Sequence, residues 1–369
     1  MRAEAVIKST ANIVDGRPVA AANPKACASR IAWLDTAKGL GILIVILGHA
    51  LGGIIDMGGK QVHPLFREIF LAIYVFHMPL FFLLSGLLVR RRLGRSRKGF
   101  LIDLVVSIAY PYFLWSIIQY SAIYAAGTLV NRPVAHFWPT IFNLPFASIS
   151  QFWFLYVLFL LHIAALVLVP RIGARNFFLF FVLARVVVAI ISAPVMLRLA
   201  MVHGLFYAAG VWLAPAGIEH ARDWLAQRLG LASAIFAGGA GAVWLAVYLI
   251  MASHGSSFFQ LQAWEISALA WRIAVLPAAL LATLAFIVVS VLLRGRVALL
   301  LSYVGRRLMT IFVLHVLFIA GARIALSRLD PHASPWLLLA VCFVAGLAAP
   351  LVIGAIVRRF TASRALGLG

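Results

Sequence analysis

Long apolar runs separated by short, mostly basic joints set the pattern of this chain. Ten runs stand out, at 39–56, 68–89, 102–124, 152–170, 177–194, 199–217, 231–252, 265–292, 308–322 and 335–357. A helix needs about 20 apolar residues to cross a bilayer. The runs therefore predict an all-α, polytopic membrane bundle of about ten transmembrane helices. The ninth run is the shortest because Arg306 and Arg307 interrupt it, and 297–305 ahead of it reads as an interfacial lead-in. Residues 1–29 are polar, Ala-rich and aperiodic, with no apolar core of the kind a signal peptide needs. They predict a disordered cytoplasmic tail, followed by a membrane domain at 30–357 and a second cytoplasmic tail at 358–369.

Composition narrows the class. Of 369 residues, 64% are hydrophobic and 11% charged, and the mean hydropathy is +1.05. Soluble domains are about half apolar and a quarter charged, and a globule of this size keeps too much surface to hide the excess. A cytosolic enzyme, a disulfide scaffold and a disordered chain are excluded. The formal charge of +21 would point to nucleic acid in a soluble protein. Here the cations cluster in the joints, where they code topology. With both termini cytoplasmic, 23 Lys and Arg fall in cytoplasmic segments and 6 in outer loops, Arg323 among the latter. Losing one early helix would put the later basic joints outside. Cys27 and Cys342 lie far apart and show no metal-ligand spacing.

An ionisable group inside an apolar run is costly in lipid and marks function. The runs hold His49, His77, His162, His203, His315, Asp103, Arg185 and Arg272. Several lie near run ends, and snorkelling is the plain reading of the last three; His162 and His203 suit structural or interfacial roles. His49, in ILGHALGG, lies well inside the first run, among small residues that admit a neighbouring helix or a ligand. It stands eleven positions after Lys38, a rise of about 16 Å and about three turns. The two therefore share one helix face. That stripe could hold both ends of one long ligand; alternatively, His49 bonds to a neighbouring helix. His77 precedes Pro79, which frees a carbonyl and kinks its helix. His315, in IFVLHVLFI, is open to either kind of role. The run RRRLGRSRK at 90–98 anchors the chain to the leaflet and could also neutralise the phosphates of a cytoplasmic cofactor.

The stretch RIAWLDTAKGLGILIVILGH, carrying Arg30, Leu34, Asp35, Lys38 and His49, resembles the opening motif of the acyltransferase 3 family of integral membrane O-acyltransferases. Relatives more commonly carry Arg where this chain has Lys38, which keeps the charge and loses the bidentate fork. Four further stretches resemble family motifs in order: FHMPLFFLLSGLLVRRR, YPYFLWS at 110–116, QFWFLYVLF at 151–159 and YVGRRLMTIFVLHVLFI at 303–319. The LDTAKGLGI wording is most similar to the fucose O-acetylase-like branch. The resemblance implies ten helices in a bacterial inner membrane. It also implies an acyl-CoA donor, acetyl-CoA, arriving from the cytoplasm, with no metal, and a glycan or lipid-linked hydroxyl as acceptor. On this view His49 is the catalytic base, assisted by Lys38 and Asp35. Arg30, Lys38, Arg90, Arg91 and Arg92 hold the donor, and His77, Trp153 and His315 line the acceptor cavity. The sequence shows no extracytoplasmic esterase-like segment, so transfer is expected to be completed by the membrane domain or by a separate protein. Two other readings stay open. One is an exporter of a glycan or lipid, although no inverted repeat relates the halves. The other is a non-catalytic scaffold, which leaves the Lys38–His49 stripe without purpose.

Overall fold

Apolar runs that must satisfy their own backbone in lipid become helices, and the computed structural model of the chain bears this out. It describes residues 13–14, 17–18, 32–57, 62–134, 136–191, 193–214, 221–254, 269–360 and 365–368. The chain divides into an N-terminal unit, Met1–Ala32, and a body, Trp33–Gly369. Within the first, β1 (Ile13–Val14) and β2 (Arg17–Pro18) pair antiparallel. The rest of the expected tail 1–29, and Arg30, fall outside the described residues. The body is built of α1 (Ala32–Ile55), α2 (Pro64–Leu93), α3 (Arg97–Leu104), α4 (Tyr110–Ala126), α5 (Phe137–Asn143), α6 (Trp153–Ile190) and α7 (Val195–Leu213). There follow α8 (Ala221–Ala226), α9 (Leu229–His254), α10 (Leu269–Leu292), α11 (Gly295–Gly305), α12 (Leu308–Leu329) and α13 (Pro335–Arg359). One π turn, Val105–Ala109, joins α3 to α4 into a single crossing.

Nine stretches among the described residues are long and apolar enough to cross a membrane, where the sequence predicts ten. The difference lies in α6. Gly173 breaks its helical backbone at φ 79°, ψ 163°. Before the break, Trp153 meets His203 and His162 meets Tyr207, so the chain runs parallel to α7. After it, Phe177 meets Tyr207 and Arg185 donates to the Val202 carbonyl, so the chain runs antiparallel to α7. Residues 153–172 and 174–190 are thus two crossings joined by a tight reversal, in register with the two runs read from the sequence. A Cβ on Gly173 would meet nothing within 4 Å, so its need for glycine is conformational alone. Gly173→Ala is expected to cost about 1–3 kcal/mol in backbone strain, measured as a lower melting temperature in detergent with transfer activity per folded molecule unchanged.

Glycines set the closest approaches. Gly41, Gly48 and Gly52 of α1 face Phe81, Tyr74 and Phe70 of antiparallel α2. Gly86 of α2 and Gly210 of α7 bring those two backbones together, since a Cβ on Gly86 would sit 2.0 Å from the Tyr207 carbonyl oxygen. Gly39 of α1 and Gly305 of α11 do the same at the start of α1. Part of the expected C-terminal tail 358–369 is described. Helix α13 runs on to Arg359, and residues 365–368 are seated against the body. Tyr110, Trp115 and Thr310 donate to the carbonyls of Ala365, Leu366 and Leu368. The apolar character of Leu366 and Leu368 supplies the reason, since Leu368 is buried in the core. The start of α12 therefore lies beside both the start of α1, across the Gly305–Asp35 contact, and the chain's last described residues.

Candidate active site

A cavity of about 730 Å³ runs along α1. Lys38, Val45, His49, Gly52 and Asp56 line it, spaced so that each returns to one face of the helix. Lys38 and His49 thus share the stripe that their spacing predicts, and Asp56 lies about 10 Å beyond His49 along the axis. Helix α2 contributes Tyr74, His77, Phe81 and Ser85, and α12 contributes Phe312, Val316 and Arg323. Trp153, the first residue of α6, also faces the cavity. Gln151 beside it exchanges two amide hydrogen bonds with Gln119 of α4, at 2.7 and 3.0 Å, which fixes the start of α6.

Midway along, four rings form a row. His315 lies 5.0 Å from His49, His49 6.5 Å from Tyr74, and Tyr74 4.7 Å from His77, between ring centroids. The nitrogen Nδ1 of His77 is 2.8 Å from the Ile73 carbonyl. That of His315 is 2.8 Å from the Phe312 carbonyl and 3.1 Å from that of Ile311. A carbonyl can only accept, so each Nδ1 carries the proton and each Nε2 offers a lone pair. The residue His315 does not line the cavity as expected. It is fully buried behind His49, because α12 turns Phe312 and Val316 toward the opening instead. Tyr74 was not singled out in the sequence, although it stands one turn before His77 on the same face.

The two ends differ. At one, Lys38 pairs with Asp35 at 3.4 Å, and Asp35 is buried. The basic exit of α2 does not reach into the cavity. Arg90 donates to the Val211 carbonyl at 3.4 Å, Arg92 is exposed, and the side chain of Arg91 lies outside the described residues. Arg95 pairs with Asp103 at 2.7 Å. The expected grouping of Arg90 and Arg92 with Lys38 is thus not made within the cavity, because α2 ends against α7. At the other end, Arg132 pairs with Asp56 at 2.9 Å, and Asn131 donates to the Gly53 carbonyl at 2.8 Å. Arg323 also lies here, only 6% exposed. Its sequence assignment to an outer loop is corrected: α12 continues to Leu329 and carries Arg323 inside. Of the remaining histidines, His162 bonds to the Leu158 carbonyl, and His203 stacks on Phe82 away from the cavity. Among the described residues no three His, Cys, Asp or Glu side chains converge as metal ligands.

Comparison with known proteins adds the family. A 170-residue stretch is 26% identical to nodulation protein NolL of Mesorhizobium japonicum, covering 45% of this chain. The match spans 42% of that relative, well under two thirds of its length. No solved structure matches. The family model described as an acyltransferase domain matches residues 31–355, which takes in the whole helical body from α1 into α13 and every side chain lining the cavity. On that coverage the chain belongs to the acyltransferase 3 family, and its body is a multi-pass membrane acyltransferase domain.

Proposed function

We propose that the protein moves an acyl group, acetyl, from cytoplasmic acetyl-CoA to a hydroxyl of an extracytoplasmic or lipid-linked glycan, from a bacterial inner membrane. The observation that carries this is the placing of His49 halfway along a cavity with a cation at one end and a polar cluster at the other. Lys38 marks the cytoplasmic mouth, in keeping with the 23-to-6 bias of basic residues. Donor phosphates bind there, with Asp35 orienting Lys38. Arg30, Arg90, Arg91 and Arg92 are the further donor-phosphate ligands of this reading. A pantetheine-like arm then reaches His49 over about 16 Å.

The chemistry balances on His49. Its neutral imidazole takes the proton of the acceptor hydroxyl as that oxygen attacks the thioester carbonyl. The carbon–sulfur bond breaks, the acyl group passes to oxygen, and the protonated His49 returns its proton to the leaving thiolate. His315 backs the ring from the buried side, while His77, Tyr74 and Trp153 line the cavity that holds the substrates. The membrane domain spans 30–357, with its flanking segments in the cytoplasm.

The test is release of CoA from acetyl-CoA by purified protein in lipid nanodiscs, with and without a cell-envelope glycan fraction. Acceptor-dependent release supports the reading. Failure to bind acetyl-CoA at all sinks it. In the same assay Lys38→Met is expected to raise the donor KM about 10–100-fold, the worth of a charge-assisted phosphate contact of about 1.5–3 kcal/mol. Lys38→Arg should restore most of that affinity, because it keeps the charge at the mouth.

A further inference from the structure

Away from Lys38, the cavity carries a charge that the proposed reaction does not use. Arg323 is 6% exposed and lines the cavity, yet no hydrogen bond or ion pair joins its guanidinium to a described residue. Five N–H donors so placed, in low dielectric, are costly unless something accepts from them. Asp56 is the acidic side chain lining this end, and it is already bonded to Arg132 at 2.9 Å. That pair is neutral, so Arg323 leaves the end one positive charge in excess. Helical side chains lean toward the N-terminus of their own helix. Arg323 therefore leans from late α12 back toward the middle of the membrane, and its stem passes 3.8 Å from where a Cβ on Gly53 would stand. Gly53 lies one turn beyond His49 on α1, about 6 Å along the axis. A group held by Arg323 would sit beside the reacting hydroxyl and not at the donor.

We infer that Arg323 forms an oxyanion subsite that receives a carboxylate or phosphate of the acceptor and sets its hydroxyl at His49. This deepens the acyltransferase reading and rests on it, since it names the acceptor's chemical class. Two sources supply that chemistry: an acidic sugar, or the phosphate of a lipid carrier. Asn131 and Arg132 close the end of the subsite, and a planar guanidinium grips either oxyanion through two parallel bonds.

The test needs no acyl donor. Binding to purified full-length protein in nanodiscs is measured for two matched pairs, decyl glucuronide against decyl glucoside and decyl phosphate against decanol. At least one anion is expected to bind about tenfold or more tightly than its neutral partner. Preference in the first pair alone assigns the sugar carboxylate, in the second alone the carrier phosphate, and in both an oxyanion read without regard to source. Arg323→Gln is expected to erase the preference. If that variant does not fold, Arg323→Lys, which loses the fork, must weaken it severalfold. No preference in wild type, whether both members bind or neither does, overturns the subsite, as does a preference that survives the substitution. Anion preference without CoA release from acetyl-CoA would keep the subsite and remove the enzyme reading. His49-dependent transfer without anion preference would do the reverse.

Discussion

Purified His49→Ala protein is expected to transfer acyl groups about 10²–10⁴-fold more slowly than wild type, the usual worth of a positioned general base. The argument is geometric. His49 is the imidazole that both faces the cavity and lies on the stripe descending to Lys38. His77 faces the same space from α2, but its Nδ1 is tied to the Ile73 carbonyl, and His315 is buried behind the row. Neither can take over the stripe position without moving a helix. Donor binding should stay near the wild-type value, because the phosphate contact is about 16 Å away. The variant should therefore lose kcat and keep the KM for acetyl-CoA, the pattern of an interaction made in the transition state. The melting temperature supplies the control, since truncating a side chain that borders open space leaves little cavity cost. A folded His49→Ala protein with full transfer would remove the base from the mechanism.

How much of this could be read in the sequence depends on which residues are governed by local period and which by packing between distant helices. The α1 stripe was legible because 3.6 residues per turn fixes which positions share a face, whatever the helix meets. The two crossings in α6 were legible as two apolar runs, and Gly173 between them has the backbone that a reversal demands. The end of α12 was not. Arg323 follows a run of small residues, Ala320, Gly321 and Ala322, and a cation there reads as a loop charge. Its place inside follows from α12 continuing to Leu329 and from packing beside α1 at Gly53, neither of which local sequence states. The direction of the basic exit of α2 was not legible for a related reason. Its charge predicts phosphate, while α7 at Val211 decides where Arg90 points. The resemblance implied His315 as a cavity residue, and its rotation about α12 hides it. Tyr74 and the Gln119–Gln151 clasp carried no signal beyond being polar-tipped residues in apolar context, which tertiary pairing alone explains.

Helix α1 can present Lys38 and His49 together only if its lower end is held, and that makes Gly39 the position where a single methyl should matter most. An added Cβ there would stand 1.9 Å from the Leu301 carbonyl oxygen of α11, a backbone atom with no rotamer to yield. Gly305 returns the contact, its own Cβ position lying 1.9 Å from the Asp35 carbonyl oxygen. Real Cβ atoms essentially never come within 3.0 Å, so one helix must shift by an ångström or more. Overpacking of well-fitted interiors costs about 1–3 kcal/mol, and a backbone-to-backbone clash belongs at the upper end. Gly39→Ala is therefore expected to lower stability by about 3 kcal/mol, and the melting temperature by roughly 5 °C. It should also raise the donor KM, because Lys38 is the adjacent residue. Gly241→Ala supplies the comparison: in α9 nothing lies within 4 Å of the new methyl. There the same change should be neutral or stabilising by about 0.5–1 kcal/mol, from helix propensity alone. Opposite signs for one chemical substitution at two helical glycines would show that the α1–α11 contact, and not glycine's flexibility, sets the lower mouth of the cavity. Equal melting temperatures for the two variants would mean that α1 and α11 are not in backbone contact and that Lys38 is held by something else.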